Sequence, residues 1–274
     1  VAKSVSIAFH CGIHLDYGYF HCWVCDSSGS FPDLIKILCN VDIKEAKRIA
    51  YKYGYSTYSK KREKRETNGK EYVKFPPDTF CVLKDSDLAK LARNYLRKRN
   101  VPEKLWNDIY FSTWGQWFGR IIFPIREGGI VKSLVGRAFL KNVEPRYLNL
   151  RNEDSVEPLK KLVYNIDGIK LGDKVLIVEG IFDCLRFYPY PTVALFGKEI
   201  TETQVLKILS KRPSKLYLMF DGGEKYSSNK VASFLNSFVE TEIMELPEKI
   251  DPSELSPLDK NKIVSYIWNL EKAR

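Results

Sequence analysis

The apolar positions in the second half of the chain fall into short unbroken runs that end on acids. Lys174–Asp183 reads KVLIVEGIFD, and Lys215–Asp221 reads KLYLMFD. Runs of Val, Ile, Leu, Tyr and Met without alternation predict strands buried on both faces, as in a parallel sheet covered by helices. A third run, Glu242–Leu246, leads through Pro247 to Asp251. In open parallel sheets the ligand crevice lies beyond the carboxyl ends of the strands. Glu179, Asp183, Asp221 and Asp251 are therefore expected at one rim. Asp183 falls in the first turn of the helix expected after Gly180, where the helix dipole favours an acid. Gly180, lacking Cβ, allows the sharp change from strand to helix. Gly197 reads as a turn before a helix capped by Thr201, with Lys198 able to reach a phosphate. Acids converging on one rim suggest Mg²⁺, which takes carboxylate oxygens and shares its shell with phosphates.

The first half has a different texture. Phe31–Leu38 and Ile43–Tyr51 read as helices, with Asp33 or Asp42 able to start one and Ile43, Ala46 and Ala50 at helical spacing. Asp85–Arg99 predicts an amphipathic helix with Leu88, Leu91, Ala92, Tyr95 and Leu96 on one face, capped by Asp85 or Ser86 and basic in its last turn. A second short helix is expected over Val101–Tyr110, starting at Pro102. Gly119–Ile125 and Ile130–Phe139 flank Gly128-Gly129, which predicts a β-hairpin by its turn chemistry.

Charge and cysteine content change this picture in two ways. The 274 residues carry a formal net charge of +10, with 44% hydrophobic and 28% charged residues. This suits a soluble globular protein with a polyanionic partner. Arg120, Arg126, Lys132 and Arg137 lie on the hairpin near Trp114, Trp117, Phe118 and Phe139. Cations interleaved with aromatics suit a single-strand groove; a surface sheet with core aromatics and solvated charges gives the same pattern. Residues 55–75 hold Lys60, Lys61, Arg62, Lys64, Arg65 and Lys70 with almost no aliphatic content, which predicts a flexible basic linker. No apolar run approaches the ~18 residues of a membrane span, and no secretory leader is evident.

Six cysteines, four of them before residue 40, are too few and too uneven for a disulfide scaffold and suit a reducing compartment. Cys11-x2-His14 followed by Cys22-x2-Cys25 offers two ligand pairs across a hairpin-sized gap, as tetrahedral Zn²⁺ requires. His10 and His21 stand as alternatives to His14. A closed four-ligand set leaves no place for a reacting water, so this zinc is read as structural.

In this order the zinc pairs, basic linker, RIIFPI, VGRAF, RYLN, VEGIFD, ALFG, a strand-end acid and KIDPSEL resemble the DnaG-type primases, in their compact bacteriophage-like version. VEGIFD with a later strand-end Asp resembles the Toprim signature, shared with topoisomerases and some nucleases. The resemblance implies an N-terminal zinc ribbon (1–54), the linker (55–75), and a primase core made of a basic α+β subdomain (76–171) and a Toprim α/β subdomain (172–256). A C-terminal helix (257–274) follows.

It further implies synthesis of short RNA primers on single-stranded DNA from ribonucleoside triphosphates, at the replication fork in the cytoplasm, beside a replicative helicase. Glu179, Asp183 and Asp221, with Asp251, would hold Mg²⁺ or Mn²⁺, and Arg120, Arg137 and Arg146 would contact template or triphosphate. The family lysine corresponds to Lys160 or Lys161. Two departures stand out: Gly223 and Ser253 occupy positions where the family has further acids, with Glu224 and Glu254 one position on. The same acids in a Toprim nuclease or topoisomerase-like enzyme, or a weakened site in a single-strand-binding module, are the other readings.

Overall fold

The computed structural model describes residues 11–14, 19–22, 27–53, 70–248 and 250–268. The chain divides into two units, 1–66 and 67–274. In the first, strands β1 (Cys11–His14), β2 (Tyr19–Cys22) and β3 (Ser28–Ser30) form an antiparallel ribbon in that order. The register sets the backbone of Cys11 opposite that of Cys22. Cys25 and His10, and the side chains of Cys11, His14, His21 and Cys22, lie outside the described residues. Helices α1 (Phe31–Cys39) and α2 (Ile43–Lys52) follow. Asp33 accepts the Ser30 N–H at 2.8 Å at the start of α1, and Asp42 accepts the Lys44 and Glu45 N–H groups at 2.7 and 3.0 Å at the start of α2. Ile35, Ala46 and Ala50, packed with Phe31, Val41 and Ile49, form a small core.

The second unit holds two sheets. The first is antiparallel, in the order β4 (Thr79–Cys81), β5 (Tyr110–Ser112), β6 (Arg120–Glu127), β7 (Ile130–Ala138), β8 (Tyr147–Asn149). Gly128 and Gly129, at φ 62° and 74°, make the β6–β7 turn that the sequence predicts, since both positions require the left-handed region. Both turn N–H groups donate to the Asp167 carboxylate at 2.8 and 2.9 Å. Helix α3 (Asp87–Lys98) starts at Ser86, whose Oγ accepts the Ala89 N–H, and buries Ala89, Ala92 and Leu96. The helix expected after Pro102 is a 3₁₀ turn, Glu103–Asp108, whose Trp106 packs into the core. Residues 55–69 of the segment expected to be a flexible linker lie outside the described residues. Val73 is buried, and the Phe75 ring meets Tyr110 with centroids 5.1 Å apart.

The second sheet is parallel, with strands β9 (Lys174–Val178), β10 (Thr192–Ala194), β11 (Lys215–Met219) and β12 (Thr241–Ile243) in the order β10-β9-β11-β12. Helices α4 (Ile181–Arg186), α5 (Glu202–Leu209) and α6 (Lys225–Leu235) make the crossovers. Thr201 caps α5 as predicted, its N–H donating to Gln204 Oε1 at 2.9 Å. Helix α7 (Pro257–Trp268) packs back on the sheet: Val264 and Ile267 join its core, and Trp268 stacks on Tyr190 at 4.8 Å.

Helix α4 lies between the two sheets. Ile181, Phe182 and Leu185 pack with Phe111, Phe123 and Leu96, whereas Cys184 packs with Leu176, Val178 and Met219. All six residues of α4 are buried, two of them charged.

Candidate active site

The strand order creates the site. The chain steps from β9 to β10 on one side and then returns across β9 to β11 on the other, so the sheet changes winding direction between β9 and β11. Crossover helices diverge at such a point and leave a crevice beyond the strand ends. β9 and β11 pair in register, Val178 beside Met219. The chain then delivers Glu179 from one strand and Asp221 from the other, and Glu179 Oε1 accepts the Asp221 N–H at 3.1 Å. Asp183, buried in the first turn of α4, accepts the Gly180 N–H at 2.9 Å on one oxygen and the Ser253 N–H at 3.1 Å on the other. Asp251 comes from beyond β12 and accepts a hydrogen bond from Ser253 Oγ at 2.5 Å. Lys198, from the loop after β10, pairs with Glu224.

These acids share one electrostatic environment. Burial pushes the Asp183 carboxyl up to about 8, with the charges of Asp251 and Asp221 adding to it. Burial, and secondarily Asp221, pushes Glu179 up to about 7 against the backbone hydrogen bond and Lys198. Asp221 is raised as well, by burial first and then by Asp251, Glu224 and Glu254. Among the described residues no three His, Cys, Asp or Glu side chains stand together as a ready ligand group. The donor chemistry nonetheless suits a hard divalent cation, because oxygen anions destabilised by burial and mutual repulsion gain most from a positive ion.

The raised pKa values carry a prediction. In the folded protein Asp183 and Glu179 hold protons that the unfolded chain has released above its ordinary carboxyl range. Their contribution to stability is full at pH below about 4 and is lost as the pH rises through about 7 and 8. Without added divalent ion, these groups should lower the melting temperature between pH near 5 and pH near 8.5. Differential scanning calorimetry should show a smaller decline in Glu179→Gln; equal declines in both proteins would contradict this account.

The predicted cations are dispersed. Arg137 is buried near the rim: its Nε donates to the Tyr95 hydroxyl at 3.1 Å, and its guanidinium lies 4.4 Å from the centre of the Tyr147 ring, which also feels the charge of Asp183. Arg146 and Lys160 are exposed, Lys161 is partly buried, and Lys198 is exposed apart from its pairing with Glu224. Arg120, expected at template or triphosphate, is instead 1% exposed, and its Nε donates to the Gln116 carbonyl at 3.1 Å and an Nη to the Pro145 carbonyl at 2.5 Å. It ties the start of β6 to the loop between β7 and β8. Arg120→Met should therefore lower stability by about 1.5–3 kcal/mol by removing the hydrogen bonds that the buried guanidinium makes to two partly buried carbonyls. Chemical denaturation measures this, and a parent-like midpoint would argue against it. Of the hairpin aromatics, Trp117 is buried, whereas Trp114 and Phe118 are exposed.

Ser253 and Arg186 are site-supporting residues that the sequence reading did not assign. Ser253 stood out as a missing acid; in the fold its N–H and hydroxyl join Asp183 and Asp251. The one signal for Arg186 is a charge inside a helix with no polar face.

No family model matches the chain. Among curated proteins it is similar to the DNA primase of Thermotoga maritima, with 25% identity, 76% of this chain and 44% of the relative covered. It is similar to that of Lactococcus lactis with 22% identity, 89% and 46% covered, and to that of Chlamydia muridarum with 29% identity, 70% and 31% covered. The chain thus spans less than half the length of these relatives. Among solved structures it is similar to the Aquifex aeolicus primase, zinc binding and RNA polymerase domains, at a TM-score of 0.52, with 19% identity, 95% of this chain and 75% of that one covered. It is similar to the DnaG catalytic core at a TM-score of 0.53, with 18% identity, 68% and 74% covered. The fold is the mixed α/β fold of primase catalytic cores. Among the described residues no helix is long and apolar enough to cross a membrane.

Proposed function

We propose that this chain is the zinc-ribbon and polymerase part of a DnaG-type primase of the compact, bacteriophage-like kind, and that it makes short RNA primers on single-stranded DNA. The observation that carries this reading is the convergence of Glu179, Asp183, Asp221 and Asp251 at the switch point of a parallel sheet, on a fold shared with primase cores. In this reading the parallel sheet with its helices is the Toprim subdomain and the antiparallel sheet the basic one.

Glu179, Asp183, Asp221 and Asp251 would hold Mg²⁺ or Mn²⁺, the two oxygens of Asp183 also accepting the Gly180 and Ser253 N–H groups. Bound there, the ion supplies charge stabilisation to the attacking and leaving oxygens of nucleotidyl transfer. The chain's own residues do the rest. Lys198, exchanging Glu224 for a triphosphate, neutralises the incoming nucleotide. Arg146, with Lys160 or Lys161, takes phosphates of template or nucleotide, and Arg137 keeps the Tyr147 ring in place beside the rim. In the N-terminal unit, the few apolar residues buried among the described ones, Phe20, Leu34, Ile35, Ala46 and Ala50, make a small core of the kind that is usually stapled. This supports structural Zn²⁺ on Cys11, His14, Cys22 and Cys25. A replicative helicase is the partner that this reading implies.

The test is incubation of the full chain with single-stranded DNA of mixed sequence, labelled ribonucleotides and Mg²⁺ or Mn²⁺, followed by sizing of the products. Short ribonucleotide products that require the divalent ion are expected. Cleavage of DNA without ribonucleotides would replace the reading with a nuclease. Single-strand binding without any product would replace it with a binding module.

A further inference from the structure

A helix buried on every side has little reason to carry charge, yet α4 carries Asp183 and Arg186 three residues apart, on one face. Asp183 Oδ1 accepts the Ser253 N–H at 3.1 Å, and one Nη of Arg186 donates to the Leu255 carbonyl at 2.6 Å. These two contacts fall on the middle residue of the 3₁₀ turn Pro252–Glu254 and on the residue that follows it, and the residue that precedes the turn is Asp251. Ser253 Oγ then donates to Asp251 at 2.5 Å. From the other side the Gly222 N–H donates to the Ile250 carbonyl at 2.9 Å.

Arg186 is costly where it stands. It is 8% exposed, and among the described residues its Nε has no hydrogen-bond partner. A buried guanidinium that satisfies one carbonyl is a poor source of stability, and a packed apolar side chain would serve a core better. What the guanidinium adds is reach and direction: a donor delivered from the last turn of a rigid helix to the far end of the turn that bears Asp251.

We propose that Arg186 is a positioning residue that, with Asp183, clamps the Pro252–Glu254 turn and so holds the Asp251 carboxylate at the rim beside Asp221. The inference rests on the reading of that rim as a divalent-cation site, and the experiment separates the two. Mn²⁺ binding is titrated by electron paramagnetic resonance of the free ion on the zinc-loaded full chain, without substrate. Arg186→Met should weaken Mn²⁺ binding at least fivefold while the melting temperature of the ion-free protein stays within a few degrees of the parent. Arg186→Lys, which keeps a donor of similar reach, should bind within twofold of the parent. If Arg186→Met does not fold, Arg186→Gln, polar but too short for the Leu255 carbonyl, should show the same fivefold loss. Parent-like affinity in Arg186→Met or Arg186→Gln, or a loss in Arg186→Lys as large as in Arg186→Met, overturns the clamp. Glu179→Gln is the control for the underlying reading. If it binds Mn²⁺ as the parent does, or the parent binds none, the rim assignment fails and the clamp with it. If it alone loses binding, the rim assignment stands and the clamp fails.

Discussion

Glu179→Gln should leave the protein folded and lower ion-dependent primer synthesis by about 10²-fold or more, the scale expected when one preorganised electrostatic group is removed from a reacting site. Glu179 ends β9 at the point where the sheet changes winding direction, and its Oε1 accepts the Asp221 N–H at 3.1 Å. The amide keeps a carbonyl oxygen for that hydrogen bond and nearly the same volume, so strand and loop keep their path. The charge is what disappears. Burial and the neighbouring Asp221 already oppose that charge, pushing the carboxyl up to about 7. Its neutral replacement should therefore melt no lower than the parent above that pH, provided no divalent ion is added. Loss of product with an unchanged or higher melting temperature separates a chemical role from a structural one. Parent-like product yield from Glu179→Gln would remove the carboxylate from the mechanism.

Gly222→Ala should have the largest effect on stability of any single methyl addition at the rim. A Cβ at Gly222 would lie 1.9 Å from the Pro247 carbonyl oxygen, 2.8 Å from its carbon and 3.2 Å from Glu248 Cα. All three are backbone atoms, so no side-chain rotation relieves the clash. The two segments are also joined by the Gly222 N–H to Ile250 carbonyl hydrogen bond at 2.9 Å, which must lengthen if they part. Overpacking of this kind costs about 3 kcal/mol. In a unit of this size that is a fall of roughly 6–12 °C in melting temperature. The separated segments carry Asp221 and Asp251, so divalent-ion binding should weaken in the fraction that stays folded. A melting temperature within about 2 °C of the parent, less than a 1 kcal/mol change, would show that the two backbones are not packed as described.

These expectations rest on features of very different legibility. The runs KVLIV and KLYLM are strands β9 and β11 because an unbroken apolar run suits only a position covered on both faces, and that information is local. The same holds for the Gly128-Gly129 turn, the Thr201 cap and the amphipathic α3, where the conformation follows from a few neighbouring residues. That Glu179 and Asp221 follow directly on buried strands was equally legible. The order of motifs along the chain resembled a primase, in agreement with the DNA primases found among its curated relatives.

The tertiary structure decided what each charged group meets. Nothing in the residues around Lys174 or Lys215 states that β11 lies beside β9 with β10 on the far side, and it is that order which opens the crevice. Arg120 and Arg137 look alike on the hairpin, two cations on neighbouring strands. One is spent on the carbonyls of Gln116 and Pro145, and the other lies over Tyr147 near the acids. Ser253 reads in sequence as an absent carboxylate and in the fold as the hydrogen-bond donor that joins Asp183 to Asp251. The sequence by itself determined the strands KVLIV and KLYLM, the Gly128-Gly129 turn, the helix α3 and the acids at strand ends, because those depend on residues a few positions apart. Which acids share a rim, which cations are free to leave it and which buried charge supports it depend on approaches between residues tens of positions apart. The strand order of the parallel sheet and the packing of α4 between the two sheets bring them about.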